Sequence, residues 1–284
     1  MRRAVPFAVA LLLALVPGRG RACDIPMFQY ALENWAPDIY EVFVFHRGSL
    51  SGGAKAALEL LRRESVEGSG RADIVVREVD LGSSPPGRAL KVWQGEGSEA
   101  KLPWVVVRYP PTSGIPGKAW SGPLTLRAVR RLLRSPARRR IAEAIIGGST
   151  AVWVLLDGLS KGESDRVARR LRRLLSKAER TLKVQFLDPV TGDFSEEPPE
   201  FQMVRVSRGD PRESAFVEML LHTEPGLERV SEPMAFPVFG RGRALTLFVG
   251  DEIDEENVMD ACEFLCSWCS CVVKAQNPVS YTHL

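Results

Sequence analysis

Leu102-Pro103-Trp104-Val105-Val106 and, in the second half of the chain, Phe236-Pro237-Val238-Phe239 are the two stretches on which the reading of this sequence turns. Each is a β-branched and aromatic run entered through proline. Proline cannot donate to a sheet ladder, so it is tolerated at the first residue of a strand or on an edge. Upstream of the first stretch, Tyr40–Phe45 reads as a strand, Gly48–Gly53 as a turn and Ala54–Arg63 as a helix with Ala57, Leu58 and Leu61 on one face. Asp73–Leu81 is a second strand, Gly82–Gly87 a loop and Lys101–Arg108 a third strand. Trp120-Ser121-Gly122 then leads into a helix over Leu124–Leu133.

The second half repeats the order. Ala151–Leu156 is a strand and Asp157–Gly162 a turn. Glu163–Ala178 is a helix with Val167, Leu171, Leu174, Leu175 and Ala178 at helical spacing. Phe201–Ser207 is a strand, Pro211–Leu221 a helix, and Phe236–Phe239 the proline-entered strand. Ala244–Val249 pairs back after the Gly240–Arg243 turn, and Asp254 caps a closing helix to Trp268. Pro136 and Gly147-Gly148-Ser149 mark residues 136–150 as a linker between the halves, although Arg138–Ile146 is itself helical. Ahead of all this, Asp24–Trp35 reads as a short amphipathic helix. Its proposed cap is Asp24, and Met27, Tyr30, Ala31 and Trp35 lie on one side.

Carried by the two proline-entered strands and this order, the chain resembles the thioredoxin-like family over residues 38–135 and 149–268. The resemblance implies an α/β fold of two tandem thioredoxin-like domains, 23–135 and 151–278. It also makes Pro103 and Pro237 candidate cis-prolines ahead of each third core strand. The family's redox motif is Cys-x-x-Cys at the turn from first strand to first helix, where the helix N-terminus favours a thiolate. Here those turns read Phe45-His46-Arg47-Gly48-Ser49-Leu50 and Leu156-Asp157-Gly158-Leu159-Ser160, without cysteine. A redox-inactive binding or scaffold protein is the expected function, since a fold does not carry its family's activity. His46 stands at the first turn as an isolated acid–base candidate, and His222 as a helix-end residue.

Residues 1–22 have the layout of a cleaved signal peptide: Arg2 and Arg3, an apolar run from Ala8 to Val16, the breakers Pro17 and Gly18, and small residues Gly20 and Ala22 before Cys23. The expected location is therefore extracytoplasmic: periplasm, cell surface or secreted. The segment from Cys23 to Glu33 is similar to the start of uncharacterised secreted proteins of planctomycete-type bacteria. Cys23 itself is a candidate for lipidation, against which Arg21 speaks, or for a disulfide. Membrane association through a Cys23 lipid, or through a region beyond the C-terminus, stays open. Val279–Leu284 resembles a translated adapter tail, so residues 279–284 are expected to be non-native.

The formal net charge of +3 owes much to Arg2, Arg3, Arg19 and Arg21; without them 34 basic residues face 35 acidic ones. Such a balance gives no global footprint for nucleic acid, and a protein partner is expected instead. The basic helices (Arg127, Arg130, Arg131 and Arg134; Arg138–Arg140; Arg166–Arg173) read as solvated faces. Phosphate-binding, dinucleotide, metalloprotease and serine-hydrolase motifs are absent, and no cofactor is expected. The densest chemistry is the run Cys262, Cys266, Cys269 and Cys271. In an oxidising compartment it reads as disulfide-forming. Alternatively it serves thiol–disulfide chemistry or holds a soft metal, with Cys262, Cys266 and Cys269 on one helix face.

Overall fold

Tyr40–His46 is one of the two inner strands of a four-stranded sheet in the computed structural model, which describes residues 25–187, 190–269 and the backbone of 282–283. Before it lies α1 (Met27–Asn34); the strand itself is β1. There follow α2 (Gly52–Glu64), β2 (Ile74–Asp80), α3 (Gly87–Gln94), β3 (Trp104–Arg108), β4 (Lys118–Pro123), α4 (Leu126–Leu133) and α5 (Pro136–Ile146). The sheet order is β2-β1-β3-β4, with β1 parallel to β2 and the β1–β3 and β3–β4 pairs antiparallel. Side chains alternate across a strand. Val42 and Val44 therefore face Leu58, Leu61, Val129 and Leu132 of α2 and α4, while Phe43 and Phe45 face Ala89 of α3 on the other side.

The second sheet is built the same way from β5 (Ala151–Leu156), α6 (Lys161–Thr181), a hairpin of β6 (Val184–Leu187) and β7 (Phe194–Glu197), β8 (Phe201–Val206), α7 (Ser214–Leu221), β9 (Met234–Phe239), β10 (Arg243–Ala244), β11 (Phe248–Val249) and α8 (Glu255–Cys266). Its order is β10-β9-β5-β8, with β11 also on β9 and a two-residue β12 (Thr282–His283) on β10. β5 is parallel to β8 and antiparallel to β9. Every residue of β5 is buried, as a continuous apolar strand must be when both faces are covered. Ala151, Trp153 and Leu155 pack toward α6 and α8; Val152, Val154 and Leu156 pack toward α5 and α7.

Several expectations are corrected. Residues 136–146 are no free linker. Pro136 occupies the first turn of α5, where its missing N–H costs nothing, and Ala137, Ile141, Ala144 and Ile145 are buried against the second sheet. α1 starts after Pro26 with no side-chain cap, and its Met27 and Ala31 enter the core of the second sheet rather than the first. Backbone pairing fixes it there: Met27 N donates to Ser267 O (2.9 Å) and Cys269 N to Ile25 O (3.1 Å). α3, β4 and the β6–β7 hairpin have no counterpart in the sequence reading. Among the described residues the one cis peptide bond is Leu102–Pro103; the Phe236–Pro237 bond is trans. Pro237 does not open its strand but sits inside β9 opposite Trp153. Its carbonyl accepts from Leu245 N (2.8 Å), so its donor-less nitrogen faces the break between β10 and β11, where no ladder bond is owed. No helix among the described residues is long and apolar enough to cross a membrane.

The two sheets share α7. Phe216, Val217 and Leu220 fill the second core, whereas Ala215 and Met219 belong to the first. The Tyr109 hydroxyl donates to the Met219 carbonyl, His222 Nδ1 lies 3.1 Å from the Ala119 carbonyl, and Ser121 N donates to Glu218 (3.2 Å). Glu213, just ahead of α7, takes the Ser135 hydroxyl and the Ala137 N–H (2.8 Å), capping α5 from across the joint.

Candidate functional site

At the first strand–helix corner, His46 ends β1 and is buried. Its Nδ1 is 2.6 Å from the Gly48 carbonyl, which assigns the proton to that nitrogen. Nε2 lies 3.2 Å from Glu78 on β2, off the line of a hydrogen bond, and Arg62 of α2 grips the same carboxylate. Asp80 accepts from Gly82 N (2.8 Å) and Gly48 N (3.1 Å), and those two backbone bonds hold its carboxyl below the usual range. The second corner joins the same three kinds of element with the charges exchanged. Arg205 of β8 donates to Asp157 after β5 (2.5 Å) and to Asp165 of α6 (2.7 Å). The Arg205 bond lowers the Asp165 pKa, and Asp157 chiefly raises that of Arg205. Neither corner offers a thiol or another activated nucleophile.

Of the cysteines, Cys23 and Cys271 lie outside the described residues. Cys262 and Cys266 sit on the inner face of α8, which ends there, so Cys269 lies beyond the helix and not on its face. All three described cysteines are buried. Burial pushes the Cys262 thiol up, helped by Cys266, and pushes Cys266 up to about 12. The buried Trp153 indole N–H has the Cys262 sulfur as its polar neighbour, a contact too loose to satisfy it as a hydrogen bond. A nucleophilic thiol needs the opposite environment, electropositive and partly open. Among the described residues no three His, Cys, Asp or Glu side chains converge as a metal site.

Sequence reasoning missed a concave feature: a cleft of about 1160 Å³ between the two sheets. Its floor is apolar, from Ile74, Val107, Leu132, Ile141, Ile145 and Met219, and exposed Ile146 stands at its mouth. Its charged lining is Arg71, Arg134, Arg138, Arg139 and Arg241 against Asp38 and Asp73. Asp38 is engaged by Arg243 (2.8 Å to Nε), which also lies 4.4 Å above the Trp35 ring. Partial burial holds the Asp73 carboxyl above its ordinary value, with Asp38 adding to the effect and Arg241 opposing it. Tyr40 lines the cleft, and its buried hydroxyl has no hydrogen-bond partner among the described residues. Burial raises the Tyr40 pKa against the pull of Arg138 nearby. Arg138 is half-buried over the Phe216 ring, and its side chain donates to the Leu132 carbonyl. These residues come from β1, the α2–β2 connection, α5 and the β9–β10 turn, so no local pattern announces them.

No family model matches the chain, and no curated protein is similar to it. Among solved structures, the human ERp44 zinc-bound form aligns with 84% of this chain at 11% identity and a TM-score of 0.24. The alignment covers 60% of that structure, so this chain spans less than two thirds of its length.

Proposed function

We propose that the protein is an extracytoplasmic, redox-inactive binding protein of two tandem thioredoxin-like units, with the cleft between its sheets as the ligand site. The observation that carries this reading is the pairing of cysteine-free corners with a large, preformed, mostly apolar cleft holding a few convergent polar groups. Such a cleft is the default place for a ligand. The corners spend their charged side chains on each other: Arg62 with Glu78, and Arg205 with Asp157 and Asp165. The buried, protonated Cys262 and Cys266 supply no attacking thiolate at neutral pH. Location outside the cytosol rests on the leader-like residues 1–22 alone.

A turbidimetric insulin-reduction assay with dithiothreitol tests the reading. The rate with the protein is expected to equal the uncatalysed rate. Turnover that disappears when Cys262, Cys266, Cys269 and Cys271 are replaced by serine would move function to the cysteine run. N-terminal sequencing of the protein exported from an expressing cell is expected to begin at Cys23.

A further inference from the structure

We propose that the cleft binds an extended acidic and apolar peptide segment of a partner protein. Its side chains would lie on the Ile74–Ile141–Met219 floor, and its carboxylates would be received by the Tyr40 hydroxyl, Arg138 and the arginines of α4. This rests on the binding-protein reading and names the chemistry of the ligand.

Three independent observations converge. The first is the Tyr40 hydroxyl, with 8% of the residue exposed and no partner among the described residues. A buried hydroxyl left unpaired is costly, and a ligand acceptor would satisfy it. Arg138, close enough to act on that phenol, makes one side-chain hydrogen bond among the described residues, to Leu132 O, and has donors to spare.

The second is charge. The lining carries five arginines, of which Arg71 and Arg139 pair with Glu64 and Glu143, against two aspartates, of which Asp38 is held by Arg243. A groove lined by Arg130 and Arg134 together with Leu60, Glu64, Arg71 and Leu133 adjoins the cleft, and a further one takes in Arg127 and Arg131. None of the three α4 arginines (Arg127, Arg130, Arg131), nor Arg134 just after the helix, forms a salt bridge among the described residues, although all four are exposed. Arginine clusters are a recurring way to read acidic motifs.

The third is shape. The volume exceeds the roughly 300–1,000 Å³ of ordinary small-molecule pockets, and the floor is aliphatic. Grooves for single-stranded nucleic acid stack bases on aromatic rings; the one aromatic residue lining this cleft, Tyr40, is buried. The two ends of the chain are poor occupants. Residues 270–284 contain no acid, and residues 1–24 contain four arginines and the single acid Asp24.

The test is fluorescence anisotropy on the full chain with a labelled short peptide alternating leucine and glutamate. Competitors are the same peptide with glutamine for glutamate, oligo(dT) and dodecanoate. The glutamate peptide is expected to bind, weaken with added salt, and outcompete all three. Tyr40→Phe is expected to weaken binding about tenfold while the melting temperature stays level or rises, because the lost hydroxyl had no partner. The paired surface change Arg130→Gln and Arg134→Gln is expected to weaken binding and flatten its salt dependence with the fold intact.

The proposal is overturned by absence of peptide binding or by equal binding of the glutamine peptide. It is equally overturned by tighter binding of oligo(dT) or dodecanoate, by wild-type affinity in both variants, or by a cleft closed through self-association in native mass spectra. Peptide failure alongside a silent insulin assay sinks this inference alone. Insulin turnover sinks the parent reading whatever the peptide does.

Discussion

The two strand–helix corners occupy the same place in two sheets of the same strand order, yet they are built with opposite signs. The first centres on an anion, Glu78, paired with Arg62 and 3.2 Å from His46 Nε2, and the second centres on a cation, Arg205, paired with Asp157 and Asp165. Their backbones differ as well. α2 begins at Ser51 without a side-chain cap, after a turn whose Gly48 has φ +66° and open space around it. α6 begins at Ser160, whose hydroxyl accepts from Glu163 N (3.3 Å). Its Gly158 is pressed so closely on the 231–233 segment that a Cβ would fall 2.4 Å from the Ser231 carbonyl oxygen. The lesson is that the topology specifies a corner joining first strand, parallel neighbour and helix, and leaves its chemistry free. Both corners here have been spent on ion pairs, one in a roomy turn and one in a tight one.

The sharpest test of corners without thiols concerns the thiols that exist. A Cys266 pKa near 12, set by burial, implies roughly a thousandfold less thiolate at neutral pH than a thiol at its ordinary value. Iodoacetamide should label Cys262 and Cys266 fast in urea and very slowly in the native protein, read by peptide mass spectrometry; equal rates would mean an open, reactive pair.

The difference between the turns should appear next. Gly158→Ala is expected to cost about 3 kcal/mol, because backbone rather than a movable side chain blocks the new methyl. Gly48→Ala should cost about 1 kcal/mol, for its left-handed backbone alone. Urea midpoints that fall in the reverse order would break the comparison.

Glu213 ties the halves, and Glu213→Ala leaves the buried Ser135 hydroxyl and the Ala137 N–H without their acceptor. A loss of about 2 kcal/mol is expected, still in one cooperative transition, because α7 belongs to both cores. Two separate transitions in calorimetry would show that the joint is weaker than its packing implies.

The smallest effect is on pH. Asp80 and Asp165 are both held below their ordinary pKa in the fold. Their stabilisation is present above the unfolded carboxylate value and is lost as pH falls through the folded one, below about pH 4. Arg205→Met should remove the Asp165 share and leave that of Asp80, moving the acid-unfolding midpoint slightly upward.

Much of the fold was legible because burial on both faces writes itself as an apolar run: Ala151–Leu156 and Tyr40–Phe45 announce central strands, and the Val167–Ala178 spacing announces α6. The segments that were not legible fail that test for visible reasons. α3 buries only Ala89, and β4 ends in Gly122-Pro123. β6 buries only Val184, and every residue of β7 is exposed. α5 looked like a joint because glycines follow it, whereas its buried Ile141 and Ile145 make it part of a core. Pro237 carried the same local signal as Pro103, and only the broken ladder beyond β9 tells them apart. The cleft left no trace, since Tyr40, Asp73, Arg138 and Arg241 become neighbours only after both sheets are in place.

The docking of α1 on the far sheet sets a timetable. A ribosome delivers Met27, Ala31 and Trp35 early, but the strands and helix that cover them, β9 and α8, are among the last described elements to be made. Until then an apolar helix waits uncovered, and long-range closures of this kind are slow and prone to association. Synthesis of α8 thus doubles as the signal for α1 to find its seat. A nascent protein stalled before residue 255 should engage holdase chaperones in a way that the finished one does not.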